Sequence, residues 1–314
     1  MNIIKYRYLY FAISLLVIVP GLIALILWGL PLGIDFTGGS LLEVQFASGQ
    51  PPSISNVATL YNQLSTPQMD ISNPVVQPVG TDSLSIRSKE MDDTLKGAIV
   101  TALQDQFGGG QAVTITNFTQ VSAVIGQEVA VRAAGAVALA AIAILIYITI
   151  AFRGVQHAFR YGTAAIIAML HDVLVVVGME AIIGHFLGWQ ADSLFLTALL
   201  TVIGFSVHDT IVVFDRIREN SNLYRRIGYE TVVNHSIVQT LDRSINTQLT
   251  VMFTLLALAL FGGTSIRHFV VILLIGVFSG TYSSIFNASP ILVVWENKEW
   301  RTWFRRKPQS NTTL

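Results

Sequence analysis

The chain contains no cysteine. A disulfide framework, a zinc–thiolate site and a thiol nucleophile are therefore excluded. Charge is scarce as well: Asp, Glu, Lys and Arg make up 12% of the 314 residues, against about 25% in an ordinary soluble domain. So little charge does not readily build a polar shell around a soluble globule of this length. There is no excess of either sign, with 19 basic and 19 acidic residues and a pI near 7.0, so a basic nucleic-acid footprint is not expected. Catalytic signatures are missing too. No HExxH, GxSxG or GxxxxGK[ST] pattern occurs, which removes the motif evidence for a zinc protease, a serine hydrolase or a P-loop nucleotidase. Gly108-Gly109-Gly110 follows a helical pattern without the Lys-Ser/Thr pair and reads as a turn. No enzyme and no bound cofactor is expected.

Apolar sequence is plentiful. AVILMFWYC residues reach 52% and mean hydropathy is +0.59, which excludes intrinsic disorder. About 20 consecutive apolar residues span a bilayer as a helix. Six segments qualify, at about 8–30, 133–152, 161–187, 193–214, 243–262 and 268–295. The first follows Lys5 and Arg7 as a signal peptide would. Its long apolar run and the lack of a small-x-small cleavage site favour an uncleaved anchor. With the N-terminus in the cytoplasm, fourteen of the nineteen Lys and Arg residues fall on the cytoplasmic side. Both termini are therefore expected there.

Four regions follow. Residues 1–32 hold the N-terminus and first span, and residues 33–127 form one water-facing domain. Residues 128–296 carry spans two to six with a cytoplasmic loop at about 215–242, and residues 297–314 form a basic tail. Within 33–127, strand patterns at 41–46, 75–79, 84–87 and 112–118 alternate with helical patterns at 53–64 and 89–107. The order β-α-β-β-α-β is that of a ferredoxin-like fold. The expected fold class is a polytopic α-helical membrane protein, with one α+β ferredoxin-like periplasmic domain between helices 1 and 2.

Polar residues inside spans draw attention, because a charge in hydrocarbon costs several kcal/mol and usually faces a bundle interior or a pathway. Span four carries Ser206, His208, Asp209 and Thr210. Asp209 precedes Asp215 by six residues, roughly 9 Å at 1.5 Å per residue. It reads as a proton-titrating carboxylate or as a helix-end acid with partial access to water. The purely apolar part of span five, 249–260, covers only about 18 Å of a core about 30 Å thick. Arg243, Ser244, Asn246, Thr247 and Gln248 must then lie in or beside the membrane, at the depth of Asp209. Arg243 is either a snorkelling anchor or a cation facing that acid. Span six adds Ser279, Thr281, Ser283, Ser284, Asn287 and Ser289 in the same half. Together the three spans suggest a hydrated polar track. Gly276 and Gly280 have the GxxxG spacing that permits close helix packing. His171-Asp172 in span three is either a second relay or a buried structural pair, and Glu180 has no partner visible in the sequence.

Three stretches are distinctive: GIDFTGGS at 33–40, GFSVHDTIVVFDRIREN at 204–220 and SGTYSSIFNASP at 279–290. In that order and topology they closely resemble the SecF family of protein-export membrane proteins. These are accessory subunits of the bacterial Sec translocase, related to resistance-nodulation-division transporters. The resemblance implies an inner-membrane partner of a SecD-like subunit and the SecYEG channel, in contact with unfolded preprotein on the periplasmic side. It implies protons as the coupling ion. The family's membrane acid maps onto Asp209 and its arginine onto Arg243. The family commonly has Asn before the acid, where this chain has His208. A neighbouring imidazole bears on the pH at which Asp209 works. A small-molecule exporter on the same scaffold and a non-transporting scaffold subunit are the alternatives.

Overall fold

The computed structural model describes residues 1–154, 158–224 and 226–299. Arg225 and the basic residues beyond 300 that entered the charge count lie outside that range, as does most of the expected tail. Among the described residues, six helices are long and apolar enough to cross a membrane. They are α1 (Arg7–Trp28), α5 (Ala123–Ala151), α6 (Ala158–Leu187), α7 (Ser193–Leu223), α8 (Tyr229–Phe261) and a sixth rod. The rod is built from α9 (Thr264–Ser283), a π-turn at Ser284–Ala288 and α10 (Ser289–Glu296). The helices α6, α7 and α9 are the most enclosed, and α1, α5 and α8 flank them.

Small residues set the packing. A Cβ on Gly276 would fall 2.1 Å from Val202 Cγ2, and one on Gly280 would fall 3.3 Å from Ser206 Cα. Both expected packing glycines therefore press α9 onto α7. Gly21 and Gly178 meet in the same way, joining α1 to α6. The bundle core runs through Ala164, Ala168, Ile203, Phe214 and Ile272.

The expected loop at 215–242 is corrected. Helix α7 continues to Leu223 and α8 already begins at Tyr229. Hydropathy stops at the charged residues, but helical periodicity does not. Val213, Phe214, Ile217 and Asn220 of α7 are buried, as are Val232, Val233, Ser236 and Ile237 of α8. The two helices thus form an amphipathic hairpin beyond the apolar zone. Asn220 donates to Ser236 Oγ at 2.9 Å across it. The N-terminus docks on this hairpin, with Ile3 N–H donating to Asn234 Oδ1 at 2.7 Å.

Between α1 and α5 lies the α+β unit. A short α2 (Ile34–Thr37) leads into β1 (Gly39–Phe46), α3 (Ile54–Leu64), β2 (Val75–Val79), β3 (Ser83–Ser88), α4 (Asp93–Phe107) and β4 (Val113–Val121). Ser53 and Asp92 cap the two longer helices by accepting from Asn56 N–H and Leu95 N–H. The strands form one antiparallel sheet in the order β2-β3-β1-β4. Alternation divides its faces. Leu42, Val44, Phe46, Leu84 and Ile86 form a core with Val57, Tyr61, Ile99 and Leu103 of α3 and α4. The opposite face, with Glu43, Gln77 and Arg87, is turned toward the bundle. A Cβ on Gly188, just past α6, would meet Gln77 Nε2 at 2.6 Å.

Candidate functional site

The close α7–α9 contact brings three serines within reach of α6. Asp172 is fully buried, at 0% exposure. Its Oδ2 accepts from Ser206 Oγ at 2.5 Å and Ser283 Oγ at 2.6 Å. Its Oδ1 accepts from Ser279 Oγ at 2.7 Å and faces His171 Nδ1 at 2.9 Å. The cluster ties α6, α7 and α9 at one level, and it uses the acceptor capacity of both oxygens. A proton can be added to this carboxyl only by giving up one of those bonds.

Asp209 differs. It is 5% exposed and Oδ1 accepts from Ser244 Oγ of α8 at 2.9 Å. Oδ2 is buried without a partner among the described residues. A proton can be added there with no bond lost. One turn of α8 further on, Gln248 is buried and its Oε1 is likewise unpartnered. Thr210 and Ser284 share a hydroxyl contact at 2.8 Å, and Ser284 Oγ donates to the Ser206 carbonyl at 3.1 Å. Two hydrogen-bonded groups result: one joins Asp172, Ser206, Ser279, Ser283, Ser284 and Thr210, and the other pairs Asp209 with Ser244.

Other expected site residues are not drawn in. Ser244 and Gln248 sit at i and i+4 on the inward face of α8. Arg243, Asn246 and Thr247 fall on its outward face and are exposed, as is His208 of α7. Arg243 forms no hydrogen bond or ion pair among the described residues. Neither Arg243 nor His208 is hydrogen-bonded to Asp209, whose one side-chain partner among the described residues is Ser244.

The GIDFTGGS stretch forms a joint. Gly38 has φ +76°, and a Cβ on it would fall 2.5 Å from Ala123 Cα at the start of α5. Gly126 of α5 in turn lies against Gly38 and Phe36. Asp35 Oδ2 accepts from Ser193 N–H at 2.8 Å and from the Ser193 hydroxyl, at the first residue of α7. Gly33 N–H donates to the Ala191 carbonyl at 2.7 Å. Arg87 of β3 lies in the field of Asp192, Glu43 and Asp35, and its Nη1 is buried without a partner. Burial pulls the Arg87 guanidinium pKa down, against the opposing pull of those acids. The joint therefore connects the sheet, α1, α5 and the helix that carries Asp209.

Glu180 does have a partner that the sequence left invisible. His268 Nε2 of α9 lies 2.8 Å from Glu180 Oε2. The signal available was weak: both residues fall near the same ends of antiparallel spans. The π-turn was missed as well, since a one-residue change of phase leaves composition and hydropathy unaltered. It directs Asn287 inward, where its side chain donates to Ser14 Oγ at 2.8 Å. Among the described residues, no group of three or more His, Asp and Glu is arranged to hold a metal.

Comparison with known proteins adds independent information. Residues 100–298 match the family model "Protein export membrane protein SecD/SecF, C-terminal", and residues 29–49 match the "SecD/SecF GG Motif". The protein translocase subunit SecF of Anaerolinea thermophila is 56% identical over 99% of both chains. The subunit of that name from Thermobaculum terrenum is 50% identical, again over 99% of both. The crystal structure of SecDF, a translocon-associated membrane protein from Thermus thermophilus, superposes with a TM-score of 0.79 at 31% identity. That match covers 95% of this chain and 39% of the SecDF chain.

Proposed function

Since this chain belongs to the SecD/SecF family of protein-export membrane proteins, we propose that it serves as the SecF-type subunit of a proton-driven translocase motor. In this reading both termini are cytoplasmic, and the α+β unit is a ferredoxin-like periplasmic domain. Its strand order β2-β3-β1-β4 with helices on one face supports that fold. The chain spans 39% of the SecDF chain, and in this reading a SecD-like subunit is its partner. The outward face of α7 and α8 is the surface for that partner. It carries His208, Arg243, Asn246 and Thr247 exposed, and a cation left in hydrocarbon costs several kcal/mol. Partner helices or water must cover it. SecYEG and an emerging unfolded preprotein complete the assembly.

One observation carries the proton reading: Asp209 is buried in a spanning helix with one carboxyl oxygen unpartnered. Such an oxygen accepts a proton without rearrangement. Arg243, at the same depth on α8, attracts the ionised form once the proton has left. Moving one charge through 100 mV supplies about 2.3 kcal/mol, enough to shift a two-state element by nearly fifty-fold. The Asp35–Ser193 joint links the start of α7 to the domain, so a shift of α7 about Asp209 reaches the sheet directly. His171-Asp172 acts as a structural tie in this mechanism, because both Asp172 oxygens already hold two contacts each.

The test is Asp209→Asn in the complete translocase, with secretion measured with and without a proton gradient. Gradient-dependent secretion should disappear while gradient-independent secretion persists. If the gradient still stimulates the variant as it does the parent, Asp209 is not the proton site. Copurification of a SecD-like chain separates the subunit from a stand-alone exporter. Loss of that chain on Arg243→Leu would support the assigned face.

A further inference from the structure

Glu180 lies in the half of α6 nearest the domain, seven residues before the helix ends at Leu187, about 10 Å at helical rise. It is 0% exposed. His268 approaches Oε2 from α9, while Oε1 is buried without a partner among the described residues. The Trp189 ring packs on the His268 ring with centroids 4.8 Å apart. A purely structural carboxylate at this burial should resemble Asp172, with donors on both oxygens. Glu180 instead shares the arrangement of Asp209, with one oxygen held and one left free. One carboxylate and one imidazole are too few ligands for a metal ion, and they form an ordinary pair for holding a proton.

We propose that Glu180 and His268 form a second proton-binding site, on the domain side of the bundle, that loads before Asp209. This rests on the proton-driven reading above and extends it to a site on the opposite half. Other ionisable groups around the pair are already engaged or exposed. On α6, His185 stacks on Trp28 with centroids 4.0 Å apart. At the start of α7, Asp192 caps Phe195 N–H. On α9, Arg267 is exposed, and on α5 Arg132 pairs with Glu128 at the surface. Helix α1 contributes no charged residue between Arg7 and its end at Trp28.

Eight residues, about 12 Å of helix, separate Glu180 from Asp172. Beside that stretch runs an open cavity of about 410 Å³, lined mainly by apolar side chains such as Val175, Met179, Ile275 and Phe278, together with His171 and Ser279. Most of the lining is apolar and gives a water few partners, so the cavity does not by itself offer a proton path between the two halves. A proton held at Glu180 waits there until the helices move, which is what prevents a leak.

The pair carries its own reporter. Protonating His268 quenches an indole packed on it. The full-length chain would be purified in detergent with Trp28→Phe, Trp295→Phe, Trp300→Phe and Trp303→Phe, leaving Trp189. Its emission should show a single transition on pH titration. His268→Asn should abolish the transition. Glu180→Gln, which keeps one acceptor oxygen for His268, should move the midpoint by at least one pH unit. Flat emission throughout the titration, or a midpoint indifferent to Glu180→Gln, overturns the proposal. Asp209→Asn should leave the titration in place. If Trp189 titrates as described while Asp209→Asn retains gradient-dependent secretion, the loading site stands and the assignment of Asp209 falls. If Trp189 is silent while Asp209→Asn loses gradient dependence, the reverse holds.

Discussion

The same substitution, Asp to Asn, should have opposite consequences at two buried carboxylates on adjacent helices. At Asp172, every choice of amide orientation replaces one two-bond acceptor by a donor. Either the Ser206 and Ser283 bonds or the Ser279 and His171 bonds are lost. Interhelical hydrogen bonds in membrane proteins contribute about 0.6 kcal/mol on average and up to about 1.7. Two lost bonds therefore cost about 1 to 3 kcal/mol, and the new amide hydrogens face hydroxyls that must turn to receive them. At Asp209 the amide oxygen can retain Ser244, and the –NH₂ takes the place of an oxygen that had no partner. The cost there should be smaller, because no existing hydrogen bond is given up. Thermal unfolding of the purified full-length chain in detergent, followed by helical circular dichroism, compares the two. The Asp172→Asn midpoint should fall clearly, and that of Asp209→Asn by less than half as much. In secretion assays the ranking reverses its meaning. Asp209→Asn loses gradient dependence at normal abundance, whereas Asp172→Asn loses abundance first. Equal destabilisation, or a larger loss at Asp209, would refute the inference from bond counts to roles.

Further expectations concern the joint and the domain. Gly38→Ala should destabilise by about 2 to 5 kcal/mol, summing left-handed strain and overpacking against Ala123; Gly97→Ala, with open space around it, should stabilise by up to about 1 kcal/mol. Thermal midpoints compare the two, and a neutral Gly38→Ala would remove the steric account of the motif. Arg87→Met should leave the sheet folded yet loosen it from α7, seen as faster amide exchange at Ser193 and Leu194. Asp70 is held well below the usual carboxylate range by Lys89, then by Ser72. Its depressed value stabilises the domain above about pH 4, and that contribution is lost as pH falls toward the folded value. Lys89→Met should therefore flatten the acid limb of an exchange-versus-pH profile at Ile71 and Ser72, and an unchanged limb would count against the contact.

Spans, strands and the packing glycines were legible because each rests on a local pattern. Twenty apolar residues, a two-residue alternation or a four-residue glycine spacing needs no knowledge of the rest of the chain. The helical continuation of α7 and α8 was also local, but its signal is amphipathic rather than apolar, so a hydropathy boundary cut it short. Asp209 and Ser244 could be paired by depth. Which face of α8 turns inward is not legible from depth, because depth is a coordinate along a helix and says nothing of rotation about it. Arg243 and Ser244 are adjacent in sequence and about 100° apart in direction, and only Ser244 reaches the acid. Glu180 and His268 are 88 residues apart, and nothing local relates them.

The π-turn at Ser284–Ala288 has a consequence of phase. A single extra residue in a helical turn rotates everything beyond it by about 100°. It lets Ser279 and Ser283 before the turn, and Leu292 and Val293 after it, all face inward. Deleting one residue there would yield a straight helix of nearly the same composition, hydropathy and span length. Its second half would present the wrong side to the bundle. In this rod the information that builds the interior is carried by angular register, and a frameless count of polar residues would miss its loss entirely.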